Sequence, residues 1–255
     1  MESAQGLLMG EMLMDAIKIE GLTKKYRDIV AVDDLSLSIK EGELFSLLGV
    51  NGAGKTTTIK MLSCLTEPTD GDAYLLGKSI RREASEVKSI IAVSPQETAI
   101  APGLTAKENL ELICGVHSFS KDKSEEKIRE LTELLGLGSV LHRKAGKLSG
   151  GWQRRLSIAM SLISEPKILF LDEPTLGLDV IARSDLWDII RSLKGKITII
   201  LTTHYMEEAE ALSDRIAIMR DGKLLVCDTS DNIKKLAETD SFEEAFIRIV
   251  KEVKK

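Results

Sequence analysis

The chain has 255 residues, with 35 Lys and Arg against 40 Asp and Glu, a formal net charge of −5. Hydrophobic residues make up 43% and charged residues 29%, a globular balance with enough chain for a sizeable core, and the acidic excess argues against a broad basic surface for duplex nucleic acid. Mean hydropathy is −0.01, and no run approaches the ~18 apolar residues of a spanning helix. The three cysteines, Cys64, Cys114 and Cys227, are far apart and odd in number. They form neither a disulfide framework nor a CxxC metal pair, which suits a reducing compartment.

Residues 1–15 carry acidic Glu2 and Glu11 and no basic n-region, so they read as a flexible N-terminal tail rather than a secretion signal. The fold is expected to begin at about Ala16. Leu35, Leu37 and Ile39 alternate with Ser36 and Ser38, the period of a half-exposed strand. Leu44–Leu48 is nearly all apolar, as in a strand covered on both faces. A glycine-rich loop follows, then a helix expected over Thr57–Leu65.

That loop, Gly49-Val50-Asn51-Gly52-Ala53-Gly54-Lys55-Thr56, matches G-x-x-x-x-G-K-[ST] without a gap. The residue types suit triphosphate chemistry. Gly52 and Gly54 let successive N–H groups point at one anion, and the helix N-terminus adds its dipole. Lys55 reaches the β- and γ-phosphates, and Thr56 offers a hydroxyl to Mg²⁺. Strand before and helix after make the motif specific.

Thr105 with Glu108 fits a capping box opening a helical region that runs to Ile163. Within it, Ser124–Leu135 reads as a charged amphipathic helix. Ile168–Leu171 is a second buried strand, and it ends in Asp172-Glu173. An acid at a strand's C-terminal end sits where open α/β sheets bind ligands. Asp172 therefore fits a Mg²⁺ partner acting through water, and Glu173 can face an attacking water. Leu186, Ile189, Ile190 and Leu193 make a helical stripe. Ile197–Leu201 is a third buried strand, and a hairpin turns at Asp221-Gly222. Phe242, Phe246, Ile249, Val250 and Val253 share one face of a C-terminal amphipathic helix within 237–255, whose acidic residues favour packing over lipid.

Together these motifs resemble the nucleotide-binding domains of ATP-binding-cassette (ABC) transporters, over about Ile17–Leu236. The resemblance implies an α/β fold: a P-loop NTPase core, an antiparallel β subdomain and a helical insert at about 96–164, all within an ATP-binding domain spanning 16–236. Tyr26 looks like the aromatic that stacks on adenine. Gly49, Asn51, Gly52, Ala53, Gly54, Lys55, Thr56 and Thr57 look like the phosphate loop. Gln96 resembles the glutamine between the two subdomains, with a part in metal binding and catalysis. Leu148-Ser149-Gly150-Gly151 resembles the family signature; its hydroxyl and bare amides at a helix start make an anion site, although sequence alone does not say whose phosphate it meets. Asp172 and Glu173 resemble the Mg²⁺ and catalytic acids, Gly177-Leu178-Asp179 the loop joining two ATP sites, and His204 the switch histidine. Thr202–Glu210 looks like the ABC-2-type subset of drug, sodium or polysaccharide exporters. Val50 stands where the family often has Pro, Gly177 where Ala is common, and Trp152 where the signature usually has Gln.

The implied activity is Mg-dependent ATP hydrolysis coupled to transport, with Lys55, Gln96, Glu173 and His204 as catalytic residues. The implied cofactors are ATP and Mg²⁺. The implied partners are a second copy, in a head-to-tail dimer holding two ATP molecules, and a separate membrane permease that docks near Gln96–Pro102. The chain would then be cytoplasmic, with indirect membrane contact at the inner face, and would have no nucleic-acid partner. The alternative is a soluble cassette ATPase acting as an assembly or mechanical factor without a permease.

Overall fold

The computed structural model describes residues 15–252. The tail expected over 1–15 therefore lies outside the described residues except for Asp15, as does Val253. Two sheets organise the chain. Strands β1 (Asp15–Tyr26) and β2 (Ile29–Lys40) pair antiparallel, and β4 (Asp70–Leu75) and β5 (Lys78–Ser79) extend them into a four-stranded antiparallel sheet of order β2-β1-β4-β5. The alternation at Leu35 and Ile39 is visible as burial of both, with Ser36 exposed between.

The second sheet has the order β10-β9-β3-β8-β7-β6. It is built from β3 (Leu44–Leu48), β6 (Ile91–Ser94), β7 (Ile168–Asp172), β8 (Thr198–Thr203), β9 (Arg215–Arg220) and β10 (Lys223–Asp228). All neighbours are parallel except β9 and β10, which form the expected hairpin at Asp221-Gly222. Every residue of β3, β7 and β8 is buried. The reason is two-sided packing. Ile168 and Phe170 of β7 join the core shared with the antiparallel sheet, whereas Leu169 and Leu171 join the core under the helices.

Three helices, α3 (Ala106–Val116), α4 (Lys121–Leu134) and α5 (Gly150–Leu162), lie between β6 and β7. The capping box forms as expected: the Thr105 hydroxyl accepts from Glu108 N, and Thr105 N donates to the Glu108 carboxylate at 2.7 Å. Helix α4 starts three residues before the expected Ser124, because the Ser120 hydroxyl accepts from Lys123 N and caps it. The helix after the phosphate loop, α1, spans Lys55–Leu62 rather than Thr57–Leu65. Gly54, at φ 101°, ends the loop and starts the helix, and Cys64, at φ 56°, turns the chain out of it, leaving Leu65 exposed. Helices α2 (Ala84–Ile90), α6 (Val180–Leu193), α7 (Met206–Leu212), α8 (Ser230–Leu236) and α9 (Phe242–Glu252) complete the described residues. In α9, Phe242, Ala245 and Phe246 are buried against β9, α7 and α8, with Ile249 and Val250 packed beside them. No helix among the described residues is long and apolar enough to cross a membrane.

Register is what builds the site. Leu48 lies opposite Thr203, and Asp172 opposite Thr202. The C-terminal ends of β3, β7 and β8 therefore finish level, and Gly49, Glu173 and His204 leave the sheet at the same edge.

Candidate functional site

A cavity of about 720 Å³ opens at that edge. Asn51, Gly52, Ala53, Gly54, Lys55, Thr56 and Thr57 form one wall, and Glu173, His204 and Gln96 line it, as does Tyr26 from the antiparallel sheet. Helical bonding in α1 begins with Thr58 N to Gly54 O at 2.9 Å. The N–H groups of Lys55, Thr56 and Thr57 precede it and have no intrahelical acceptor, the arrangement that binds anions. Glycine is required at two places. Gly54 has a left-handed φ, and a Cβ there would lie 2.5 Å from Ala31 O; a Cβ on Gly49 would lie 2.4 Å from Met219 O. Gly49 thus serves close packing of the loop on β9 and does not line the cavity.

Lys55 is 5% exposed. Its Nζ donates to Gly49 O at 2.7 Å and Val50 O at 3.3 Å, and stands 3.5 Å from Glu173 Oε1. The other carboxyl oxygen, Oε2, lies 2.6 Å from His204 Nδ1. Glu173 is thereby held between a lysine ammonium and an imidazole, and its backbone is in the left-handed region at φ 49°. Thr202 offsets that strain: its hydroxyl and its carbonyl both accept from Glu173 N, at 3.0 and 3.1 Å. The same hydroxyl donates to Asp172 Oδ1 at 2.5 Å, and Thr56 Oγ1 donates to that oxygen at 3.2 Å. Thr202 was not singled out from sequence, although its place two residues before His204 at a strand end was a usable signal.

Asp172 lies behind the cavity wall at 5% exposure. Its pairing with Thr56 fits Mg²⁺, which takes one or two protein oxygens plus phosphate oxygens and water. Among the described residues no cluster of three His, Cys, Asp or Glu side chains offers an all-protein metal cage. Gln96 is exposed on the rim. Its carbonyl, with that of Pro95, accepts from the Arg154 guanidinium, and Arg154 is buried in α5. Sequence reading did not find Arg154. The Tyr26 ring is 44% exposed, with Lys24 Nζ 5.0 Å from its centroid, so a planar base can approach it.

Ser149, Gly151 and Asp179 line a separate depression with Trp152, Arg155 and Ile181. Ser149 is the N-cap of α5, yet its hydroxyl makes no capping bond, which leaves it free for a ligand. Gly150 sits beside it, with Leu178 the nearest side chain. Asp179 caps α6, accepting from Ala182 N at 2.9 Å. The Trp152 indole lies under the Arg155 guanidinium, 4.8 Å from the ring centroid, and Arg155 is tied to Asp185 at 2.6 Å.

Residues 32–176, more than half of the chain, match the family described as ABC transporter. The chain belongs to the ABC transporter family. Its fold is that of an ABC ATPase cassette. It superimposes on a structure titled as the ATP binding subunit of an ABC transporter, with a TM-score of 0.82 and 26% identity, covering 92% of this chain and 99% of that one. It also superimposes on the dimeric structure of MJ0796, a bacterial ABC transporter cassette, with a TM-score of 0.75 and 29% identity over 84% and 98% of the two chains. Among curated relatives, the daunorubicin/doxorubicin resistance ATP-binding protein DrrA of Streptomyces peucetius is 40% identical, over 86% of this chain and 67% of its own length. The phospholipid-transporting ATPase ABCA3 of Homo sapiens is 41% identical over 88% of this cassette, and the probable multidrug ABC transporter ATP-binding protein YbhF of Escherichia coli 38% over 92%. The chain spans 13% of the length of ABCA3 and 41% of YbhF.

Proposed function

We propose that this cassette hydrolyses Mg-ATP as a subunit of an exporter and drives a separate membrane permease. The observation that carries the reading is the convergence of the phosphate loop, the Thr56–Asp172 pair and the Glu173–His204 pair at one sheet edge. Similarity to drug-resistance ATP-binding proteins supports export of drug-like substrates.

In this reading Tyr26 stacks on the adenine. The free amides of residues 55–57 and the Lys55 ammonium take the β- and γ-phosphates, so catalysis is largely positioning and charge stabilisation. Thr56, Asp172 and Gln96 would hold Mg²⁺, which would neutralise phosphate charge. Glu173 Oε2 accepts the His204 Nδ1 hydrogen, which fixes both side chains. Glu173 orients the attacking water and can receive its proton. Lys55, shared between loop carbonyls and Glu173, sets the position of that carboxyl relative to the phosphate end of the cavity.

Ser149, Gly151 and Asp179 lie in their own depression with Gly150 beside them, so they serve the nucleotide of a second copy in a head-to-tail dimer. The dimeric MJ0796 cassette supports this arrangement. Residues 16–236 are the ATP-binding unit, with 96–164 as its helical insert, and the chain is cytoplasmic, reaching the membrane's inner face through its permease.

The test is fractionation. Expressed alone, the chain should stay in the supernatant. Expressed with its permease, it should sediment with membranes, and substitutions within Glu97–Pro102 should release it while ATP binding persists. Sedimentation with membranes in a permease-deleted cell would overturn the reading.

A further inference from the structure

Behind the candidate site lies a buried acid that the proposed chemistry does not use. Glu208, on α7, has no exposed surface. The Trp187 indole N–H, from α6, donates to its Oε1 at 3.1 Å, whereas Oε2 has no hydrogen-bond partner. Two further unpartnered buried atoms belong to its neighbours: Oγ1 of Thr175, in the loop after Glu173, and Nε of Arg183, on α6. Burial raises the Glu208 pKa, opposed by the hydroxyls of Thr203 and Thr175, the Trp187 indole and the charge of Arg183. The Arg183 guanidinium in turn lies 4.7 Å from the centroid of the Tyr205 ring, which sits 4.1 Å from that of His204.

These residues come from the segments that carry the candidate site. Thr175 lies between Glu173 and Gly177-Leu178-Asp179. Trp187 and Arg183 belong to the helix that Asp179 caps. Thr203 ends β8 one residue before His204, and its hydroxyl accepts from Tyr205 N at 2.9 Å. A buried polar cluster of this kind costs free energy when incompletely paired, so its presence calls for a role.

We infer that Glu208 is a positioning residue for ATP hydrolysis: its buried carboxyl, bonded to the Trp187 indole, ties α6 to α7 directly after the 203–205 switch, and so keeps Glu173 and His204 in register. The inference rests on the reading of Glu173 and His204 as the hydrolytic pair. Glutamine keeps an oxygen that can accept from the Trp187 indole N–H, so it can replace Glu208, whereas leucine cannot.

The experiment measures steady-state ATP hydrolysis by the purified full chain, with thermal unfolding in parallel. Glu208→Leu should lower kcat about tenfold and leave KM for ATP within about twofold, and Glu208→Gln should restore most of the turnover. In a His204→Ala background, Glu208→Leu should lower kcat no further, because both changes act through the same pair. Trp187→Phe, which removes the hydrogen bond to Glu208, and Thr175→Val, which removes a neighbouring hydroxyl, should lower kcat about threefold at unchanged KM, and they carry the test if Glu208→Leu does not fold. Lowered turnover in His204→Ala with normal turnover in Glu208→Leu, or in both partner variants, would overturn the inference alone. So would a full multiplicative loss in the double variant. Normal turnover in His204→Ala would overturn the hydrolytic pair and the inference with it.

Discussion

Arg154 Nη1 donates to the carbonyl of Pro95 at 2.6 Å, and Nη2 donates to the carbonyl of Gln96. A 4% exposed arginine on the signature helix thus holds the loop that carries the rim glutamine. Burial lowers the Arg154 pKa, and the charges of Asp172 and Glu208 oppose that shift. Replacing it by Met keeps much of the side-chain volume but leaves two backbone carbonyls without their donor. Arg154→Met should cost about 1–3 kcal/mol of stability, read by urea unfolding. A midpoint equal to that of the parent protein would show that the loop does not depend on this tie.

Ser149 makes the second point testable. Its hydroxyl is free at the start of α5, in a depression apart from the phosphate loop. Ser149→Arg should leave ATP binding by the single chain intact and abolish ATP-dependent dimers, measured by light scattering on a Glu173→Gln background. Dimers that survive the arginine would count against two nucleotides shared between copies.

Much of this architecture could be read from the sequence, and the reasons are local. Leu44–Leu48, apart from Ser46, and Ile168–Leu171 are apolar on both faces because helices and a second sheet cover them, and such runs stand out without any alignment. The phosphate loop, the Asp172-Glu173 pair and His204 are legible because each follows such a strand. The start of α1 was misplaced by two residues because left-handed Gly54, rather than a polar cap, ends the loop. Arg154, Glu208 and Trp187 escaped for a different reason. Their partners lie 21 to 59 residues away, and helical spacing says nothing about contacts at that range. Thr202 was hidden by a residue type common in strands.

The pH dependence of stability offers a check away from the site. Glu43 is 8% exposed; its Oε2 accepts from Lys40 N at 2.7 Å, and Arg215 stands 3.5 Å from Oε1. Burial raises its pKa above 4.5, against the Lys40 hydrogen bond and the Arg215 charge. A raised folded-state value means that the folded chain holds the proton longer than the unfolded one. The stabilising contribution is therefore complete below pH 4.5 and is lost as pH rises through the folded value. Glu43→Gln removes this titration, so the parent should lose stability relative to the variant as pH rises above 4.5, in urea unfolding at a series of pH values. Parallel profiles would rule out Glu43 as the titrating group.

The most direct measurement concerns the carboxyl held between Lys55 Nζ, at 3.5 Å, and His204 Nδ1, at 2.6 Å. Glu173→Gln keeps the shape of that side chain but turns one of its two acceptor oxygens into a donor and removes its ability to accept a proton. With purified protein, ATP affinity should be unchanged and turnover should fall by about 10²-fold or more. Turnover close to that of the parent protein, at equal ATP occupancy, would contradict the account of how this cassette hydrolyses ATP.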